Sequence, residues 1–549
     1  MHTIEVVLAM LVAVVASGYL VRVLPFSLPL PLVQIGLGAV IAGVFNRGHA
    51  LEPEVFFLLF LPPLLFLDGW RIPKQGLFRD KGAILELAFG LVVFTVIGAG
   101  LLIHWMIPVM PLAVCFALAA IVSPTDPVAV GAIASKAPIP KRLMHILEGE
   151  SLLNDASGLV CFRFAVAAVM TGSFSLATAS LTFLWVAVAG LAVGVAVTLG
   201  VSTFQRWLWR RFGEEPGAAM LVNLLIPFAA YLLAEEIHAS GILAAVAAGI
   251  AMSYVELTGR VSGSMRVQRA GVWNMLQFSF NGIMFVLLGE QLPGIVERAT
   301  TTMNETGHQS AWWLLVYVVV INAMLIALRL LWVWLSLRWN LLRARRRGLQ
   351  HGEAPNWRIV VATSVAGVRG AITLAGVLTL PLFLPDGSPF PARDLVIFLA
   401  AAVILFSLVG ASVALPQLLK GLQLPADSGE RKEEDLARKL SSKAALAGVE
   451  RMRQQLVMNQ NTDNVQLFND AASRVSLLYQ RHLEKDNEGP DVDPDKVKRM
   501  EQGYRQLRSA GLNAEREELF RLTRRGVISD EISRRLIRNL DLLESRQRG

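Results

Sequence analysis

Thirteen times in its first 420 residues the chain repeats an apolar stretch near the length that crosses a bilayer, about 20 residues for a hydrocarbon core of about 30 Å. The stretches begin near Ile4, Leu28, Glu54, Ala83, Met110, Leu143, Leu181, Gly217, Ala239, Gly271, Ala311, Trp357 and Arg393. Segments in lipid must satisfy their own backbone hydrogen bonds, so the pattern dictates an all-α membrane protein of about 13 transmembrane helices. Composition supports this once the chain is divided. Residues 420–549 hold 25 of the 51 Lys and Arg and 22 of the 43 Asp and Glu, which leaves the preceding part far more apolar than the overall 54%. A purely aqueous globule is excluded. The first stretch has no basic leader, carries Glu5 and runs on to Leu24 without a small-residue cleavage site, so it reads as a span rather than a signal peptide.

An odd number of spans places the termini on opposite sides, and the Lys and Arg in the loops decide which side is which. Loops after spans 1, 3, 5, 7, 9 and 11 hold 19 such residues, including Arg71, Lys74, Arg206, Arg210, Arg211, Arg269 and Arg338, whereas the alternate loops hold three, Arg47, Arg298 and Arg393. The N-terminus is expected outside and the charged tail in the cytoplasm. The division is a transmembrane domain over 1–420 and a soluble helical tail over 421–549. In the tail, Ile532, Leu536, Leu540 and Leu543 are spaced for one helix face behind an N-cap at Asp530. A hinge is expected over 486–495, where Gly489, Pro490 and Pro494 cluster. The tail's charges nearly balance and form no basic stripe, so the sequence pI of about 9.6 does not signal nucleic acid. Cys115 and Cys161 lie inside apolar stretches and indicate neither a disulfide framework nor a metal site. No strand, helix and glycine pattern for nucleotide binding stands in the tail.

Charge at mid-bilayer costs roughly 2.5 to 3.5 kcal/mol per residue on insertion scales, so each charged residue there needs a partner or a job. Span 5 carries Ser123, Pro124, Thr125, Asp126 and Pro127 in succession. Two prolines remove intrahelical hydrogen bonds and break the helix at Asp126. Broken backbone at that depth must line protein or a watery cavity, where freed carbonyls and a carboxylate suit a small hard cation. In span 6, Glu150, Ser151, Asn154 and Asp155 fall on one helix face at 3.6 residues per turn. Two carboxylates side by side in a membrane helix call for a cation or a proton. Span 12 places Arg369 between Gly367 and Gly370, where glycine permits unwinding and close approach of another backbone. Spans 5 and 12 are seven apart and run in opposite directions, as inverted repeats whose interrupted segments meet at the midplane do. Arg369 is expected beside the acids, paired with Glu150, which leaves Asp155 for the ion. Arg163 is expected in a structural ion pair, Asp68 and Glu86 at interfaces, Asn223, Asn281 and Glu290 in helix packing, and His145 and His238 at solvated span ends.

Taken together, Ser123-Pro124-Thr125-Asp126-Pro127, Glu148-Gly149-Glu150-Ser151-Leu152-Leu153-Asn154-Asp155 and Gly367-Val368-Arg369-Gly370-Ala371-Ile372-Thr373 resemble the sodium/proton exchangers of the NhaP and NHE type, in the bacterial branch with a long cytoplasmic tail. The resemblance covers roughly 5–420. It implies thirteen spans with inverted repeats, a transport core of spans 4 to 6 and 11 to 13 around two crossed, interrupted helices, and a second domain that makes a homodimer. It further implies that Asp155 binds the ion and carries the proton, that Thr125, Asp126 and Ser151 help hold the monovalent cation, with Asn154 counted in the same ion-binding group, and that Glu150 and Arg369 pair. Asn154, in place of a second aspartate, resembles the branch that exchanges one cation for one proton without net charge. The implied substrates are a monovalent cation, sodium first and potassium as the alternative, and a proton. The implied setting is a bacterial inner membrane, with no cofactor and no nucleic acid. A cation channel and a transport-fold sensor driving the tail are rivals of other classes. An intramembrane protease has no source of catalytic geometry, since neither a His-Glu-x-x-His nor a Gly-x-Gly-Asp stands in any span.

Overall fold

The computed structural model describes residues 2–420 apart from 24–27, 46–52, 73–80, 135–140, 173–175, 214, 258–262, 306–311 and 347–356, and beyond them chiefly 443–455. The chain divides into two compact units, Met1–Leu422 and Gln423–Gly549. The tail positions expected to form a hinge (486–495) and a helix face (530–543) lie outside the described residues, Leu542 excepted.

In the first unit the described residues form thirteen helices, two of them broken: α1 (His2–Val23), α2 (Leu30–Phe45), α3 (Pro53–Arg71), α4 (Lys81–Leu85, a π-helical turn Glu86–Leu91, then Val92–Met106), α5a (Leu112–Val122) and α5b (Pro127–Ala134), α6 (Lys141–Thr171), α7 (Leu176–Phe212), α8 (Pro216–Glu236), α9 (Gly241–Leu257), α10 (Gly263–Glu305), α11 (Trp312–Arg346), α12a (Trp357–Val365) and α12b (Ala371–Leu378), and α13 (Arg393–Leu419). Among the described residues there is no strand beyond one isolated bridge between Phe383 and Pro389. Among the described residues, eight helices are long and apolar enough to cross a membrane, and three shorter ones are apolar. Large apolar side chains such as Val12, Tyr19, Trp185, Val188 and Trp313 remain exposed on the outer helices, as lipid rather than water requires.

Close helix packing uses small residues, since lipid tails supply no hydrophobic drive between helices. α2 and α10 touch backbone to backbone at Gly38 and Gly289, where a Cβ would collide with main-chain atoms of Val286 and Ile35. Gly69 and Gly249 do the same for α3 and α9, as does Gly194 for α7 against α9. The most enclosed element is α5a, whose residues from Ala117 to Val122 are without solvent exposure. It is packed by α4, α6 and α13. The interruption that follows α5a is thus held in the centre of the unit.

Several charges expected in loops lie within helices, Arg71 in α3, Arg206, Arg210 and Arg211 in α7, Arg269 in α10 and Arg338 in α11, and of these Arg269 is the buried one. Arg269, expected in a cytoplasmic loop, lies within α10 because that helix starts at Gly263 rather than near Gly271. It is buried and paired with Glu256 at 2.5 Å, and Trp70 Nε1 donates to the same carboxylate at 2.8 Å.

Candidate cation site

α5 stops at Val122 because Pro124 and Pro127 cannot donate to the helix ladder. α5b restarts with Asp126 before Pro127, a carboxylate at the N-cap and a proline at the first helical position, and Asp126 Oδ1 accepts the Ala129 N–H at 3.4 Å. α12 opens at Val365 and restarts at Ala371, with Gly370 extended (φ −122°, ψ −162°). The two breaks meet: the Asp126 N–H donates to the Val368 carbonyl at 2.7 Å. Gly370 makes that meeting possible, since a Cβ there would lie 2.5 Å from Asp126 Cγ and closer still to a carboxylate oxygen. Gly158 on α6 serves the same end, because a Cβ there would strike the Pro124 ring.

A broken helix leaves carbonyls without partners and a partial negative charge at each half-helix C-terminus. Two arginines answer this. Arg369 Nε donates to the carbonyl of Val122, the last residue of α5a, at 2.9 Å, and its Nη1 donates to the Gly367 carbonyl. Arg329, from α11, donates through Nε to the Thr363 carbonyl near the end of α12a at 3.0 Å. Arg329 also grips Glu150 with both terminal nitrogens, Nη1 to Oε1 at 2.5 Å and Nη2 to Oε2 at 2.7 Å. The expected pair of Glu150 with Arg369 is therefore corrected. The partner of Glu150 is Arg329, because the Arg369 guanidinium is taken up by the freed carbonyls on either side of the crossing. Sequence reading passed over Arg329, although the insertion-cost argument that singled out Arg369 applies equally to a lone arginine among Leu328, Leu330 and Leu331.

Beside the crossing is a cavity lined by Asp126, Thr125, Ser151 and Asp155, together with Asp68 and Leu64 of α3, Gln277 and Asn281 of α10, and Thr373 of α12b. Asp155 is 5% exposed and has no hydrogen-bond or ion-pair partner among the described residues. Of the α6 face, Ser151 and Asp155 line the cavity, whereas Glu150 is taken by Arg329 and Asn154 turns away as well. Asn154 does not line the cavity among the described residues; its Nδ2 donates to Thr125 Oγ1 at 3.0 Å and to Glu150 Oε1 at 3.4 Å. It ties Thr125 to the ion pair instead of facing the cavity. Asp68, expected at an interface, and Asn281, expected in helix packing, are both cavity residues, the first because α3 ends beside the α5 break. Among the lesser expectations, Arg163 does make an ion pair, with Glu235 at 3.2 Å and half exposed, and His238 is exposed. Asn223 donates to the Ala219 carbonyl of its own helix rather than to a neighbouring one, and Glu86 accepts from Ser336 of α11 at 2.5 Å.

A cavity with carboxylates and hydroxyls, set against two crossed helix breaks inside a bundle, defines a secondary transporter of a small cation. Residues 8–421 match the transmembrane sodium/hydrogen exchanger family, and the chain belongs to that family. It is 41% identical over 543 residues to an uncharacterized Na(+)/H(+) exchanger, YjcE, of Escherichia coli, covering 98% of each chain. A sodium, potassium, lithium and rubidium/H(+) antiporter of Bacillus subtilis is 39% identical over 543 residues, covering 98% of this chain and 77% of the relative. Among solved structures, the sodium proton antiporter MjNhaP1 of Methanocaldococcus jannaschii superposes with a TM-score of 0.57 at 16% identity, over 77% of this chain and 99% of that one. The fold is that of the NhaP antiporters, and the chain is a multi-pass membrane cation/proton antiporter, not an enzyme.

Proposed function

We propose that this antiporter exchanges one monovalent cation, sodium first, for one proton by competition at Asp155. The observation that carries the reading is the setting of that carboxylate: buried, lining the cavity at both helix breaks, and without a partner among the described residues. Thr125, Ser151 and Asp126 line the same cavity and offer the oxygen ligands a hard cation takes. Asn154 and the Glu150–Arg329 pair stand behind Thr125 and hold its hydroxyl in place. Carboxylates facing one poorly solvated cavity repel strongly. Either a cation or a proton relieves that repulsion, and the core rocks between its two openings when Asp155 is so neutralised. One acid that holds one sodium or one proton at a time yields exchange without net current.

A second reading, in which potassium, lithium and rubidium are also carried, is favoured by the name of the Bacillus relative. Selectivity between them depends on cavity size, ligand number and ligand distances rather than on ligand identity alone. The homodimer, the bacterial inner membrane and the cytoplasmic tail are supported by the loop charge bias and the family resemblance. Proteoliposomes holding a pH dye, with the potential clamped and sodium, lithium and potassium supplied in turn, test the proposal. The native protein moves protons against the cation without current, and Asp155→Asn, purified in folded form, moves none. Robust exchange by that variant refutes the assignment, and a potential-driven current in the native protein supports a channel instead.

A further inference from the structure

The last turn of α3 ends in a guanidinium that the exchange mechanism leaves unused. Arg71, three residues past the cavity residue Asp68, is exposed. Its Nη1 donates to Gln277 Oε1 at 2.5 Å and its Nη2 to Asn274 Oδ1 at 2.5 Å. Both acceptors belong to α10, three residues apart and hence neighbours on one helix face. Of the two, Gln277 lines the cavity, one turn before Asn281. A glutamine amide has one oxygen that can ligate a cation and one NH₂ group that cannot. Arg71 takes the oxygen. A guanidinium is suited to the task, since its planar fork holds two carbonyl oxygens at once where an ammonium group on a flexible stem does not.

Resting on the reading of this cavity as the cation site, we propose that Arg71 is a specificity-determining positioning residue that acts through Gln277, holding Gln277 Oε1 at the rim and so withholding a neutral oxygen ligand from the cavity. The consequence concerns which cation is accepted. Coordination by few, strongly charged oxygens favours a small cation, whereas more numerous neutral carbonyl dipoles favour a larger one, because selectivity follows the number and field strength of the ligands. Freed from Arg71, the Gln277 oxygen can turn inward and add such a ligand. Arg71 thereby biases the site toward sodium and against potassium.

The test is a double-mutant cycle in proteoliposomes, with KM and kcat measured separately for sodium and potassium at one pH in the native protein, Arg71→Ala, Gln277→Leu and the double variant. Arg71→Ala is expected to lower the KM for potassium about tenfold, the yield of one added contact to a charged group, with a smaller change for sodium and little change in kcat. In the Gln277→Leu background, where no oxygen remains to be released, the Arg71→Ala change shifts neither KM further. Arg71→Lys, which keeps the charge but loses the fork, gives an intermediate potassium KM, and it carries the comparison should Arg71→Ala not fold. An unchanged potassium KM overturns the proposal. So does the same shift in both backgrounds, which assigns the effect to the lost positive charge alone. Exchange by Asp155→Asn overturns the cation-site reading instead, whatever the cycle returns.

Discussion

Glu150 has no solvent exposure, and its two oxygens are held by Arg329 at 2.5 and 2.7 Å. Replacing Arg329 by Ala removes both bonds and the donation to the Thr363 carbonyl at 3.0 Å, leaving a buried carboxylate with no ion-pair partner and only the long contacts from Asn154 at 3.4 Å and Thr125 at 3.5 Å. Breaking a buried pair from one side costs about 3 to 5 kcal/mol, whereas replacing both partners by well-packed neutral residues is often neutral or stabilising. The structure thus predicts a strong asymmetry. In detergent, thermal unfolding of Arg329→Ala should fall well below the native protein. The double variant Glu150→Gln with Arg329→Met should recover most of the loss, even where exchange stays impaired. The reasoning fails if Arg329→Ala unfolds with the native protein. It fails also if the double variant is as unstable as the single one, since an unpaired charge would then not be the cause.

Two further perturbations read other parts of the site. Gly370→Ala places a Cβ 2.5 Å from Asp126 Cγ, so the two helix breaks must separate. Sodium exchange in proteoliposomes should fall at least about tenfold, the equivalent of ~1.4 kcal/mol, and native exchange by that variant would contradict the contact. Arg163→Ala loses a half-exposed ion pair with Glu235, which is worth at most about 1 kcal/mol. It should keep near-native melting and exchange, and a loss of exchange with melting unchanged would assign Arg163 a transport role.

The helices were legible because a bilayer sets their length. Twelve of the thirteen starts read from apolar runs fall within a few residues of a helix start, and α10 is the exception because its first turns are polar and its Arg269 is sheltered by Glu256 and Trp70. The breaks at Asp126 and Arg369 were legible for a local reason: prolines and glycines at those positions have only a few structural uses. What sequence spacing could not supply was the choice among partners. Arg369 and Arg329 carry the same charge at similar cost, and their roles depend on which guanidinium comes nearer to Val122 and which to Glu150, a matter of how α11 packs against α12a. Asp68 and Asn281 escaped notice as cavity residues for the same reason. Each is unremarkable on its own helix and gains its role from the approach of α3 and α10 to the α5 break. The face shared by Glu150, Ser151, Asn154 and Asp155 was correct as helix geometry, yet it did not separate Ser151 and Asp155, which line the cavity, from Glu150 and Asn154, which turn to Arg329 and Thr125.

Competition between a proton and a cation for a single carboxylate is the centre of this account, and one titration addresses it. Sodium KM and maximal exchange rate are measured in proteoliposomes across a series of pH values set equal on both sides. If both ions occupy Asp155 in turn, mutual exclusion requires the apparent sodium KM to climb toward about tenfold per unit of acidification on the acid side, with the maximal rate reached at high sodium unchanged. A sodium KM that stays level while the maximal rate falls with acid would place the proton on a different group, and the shared carboxylate would have to be abandoned.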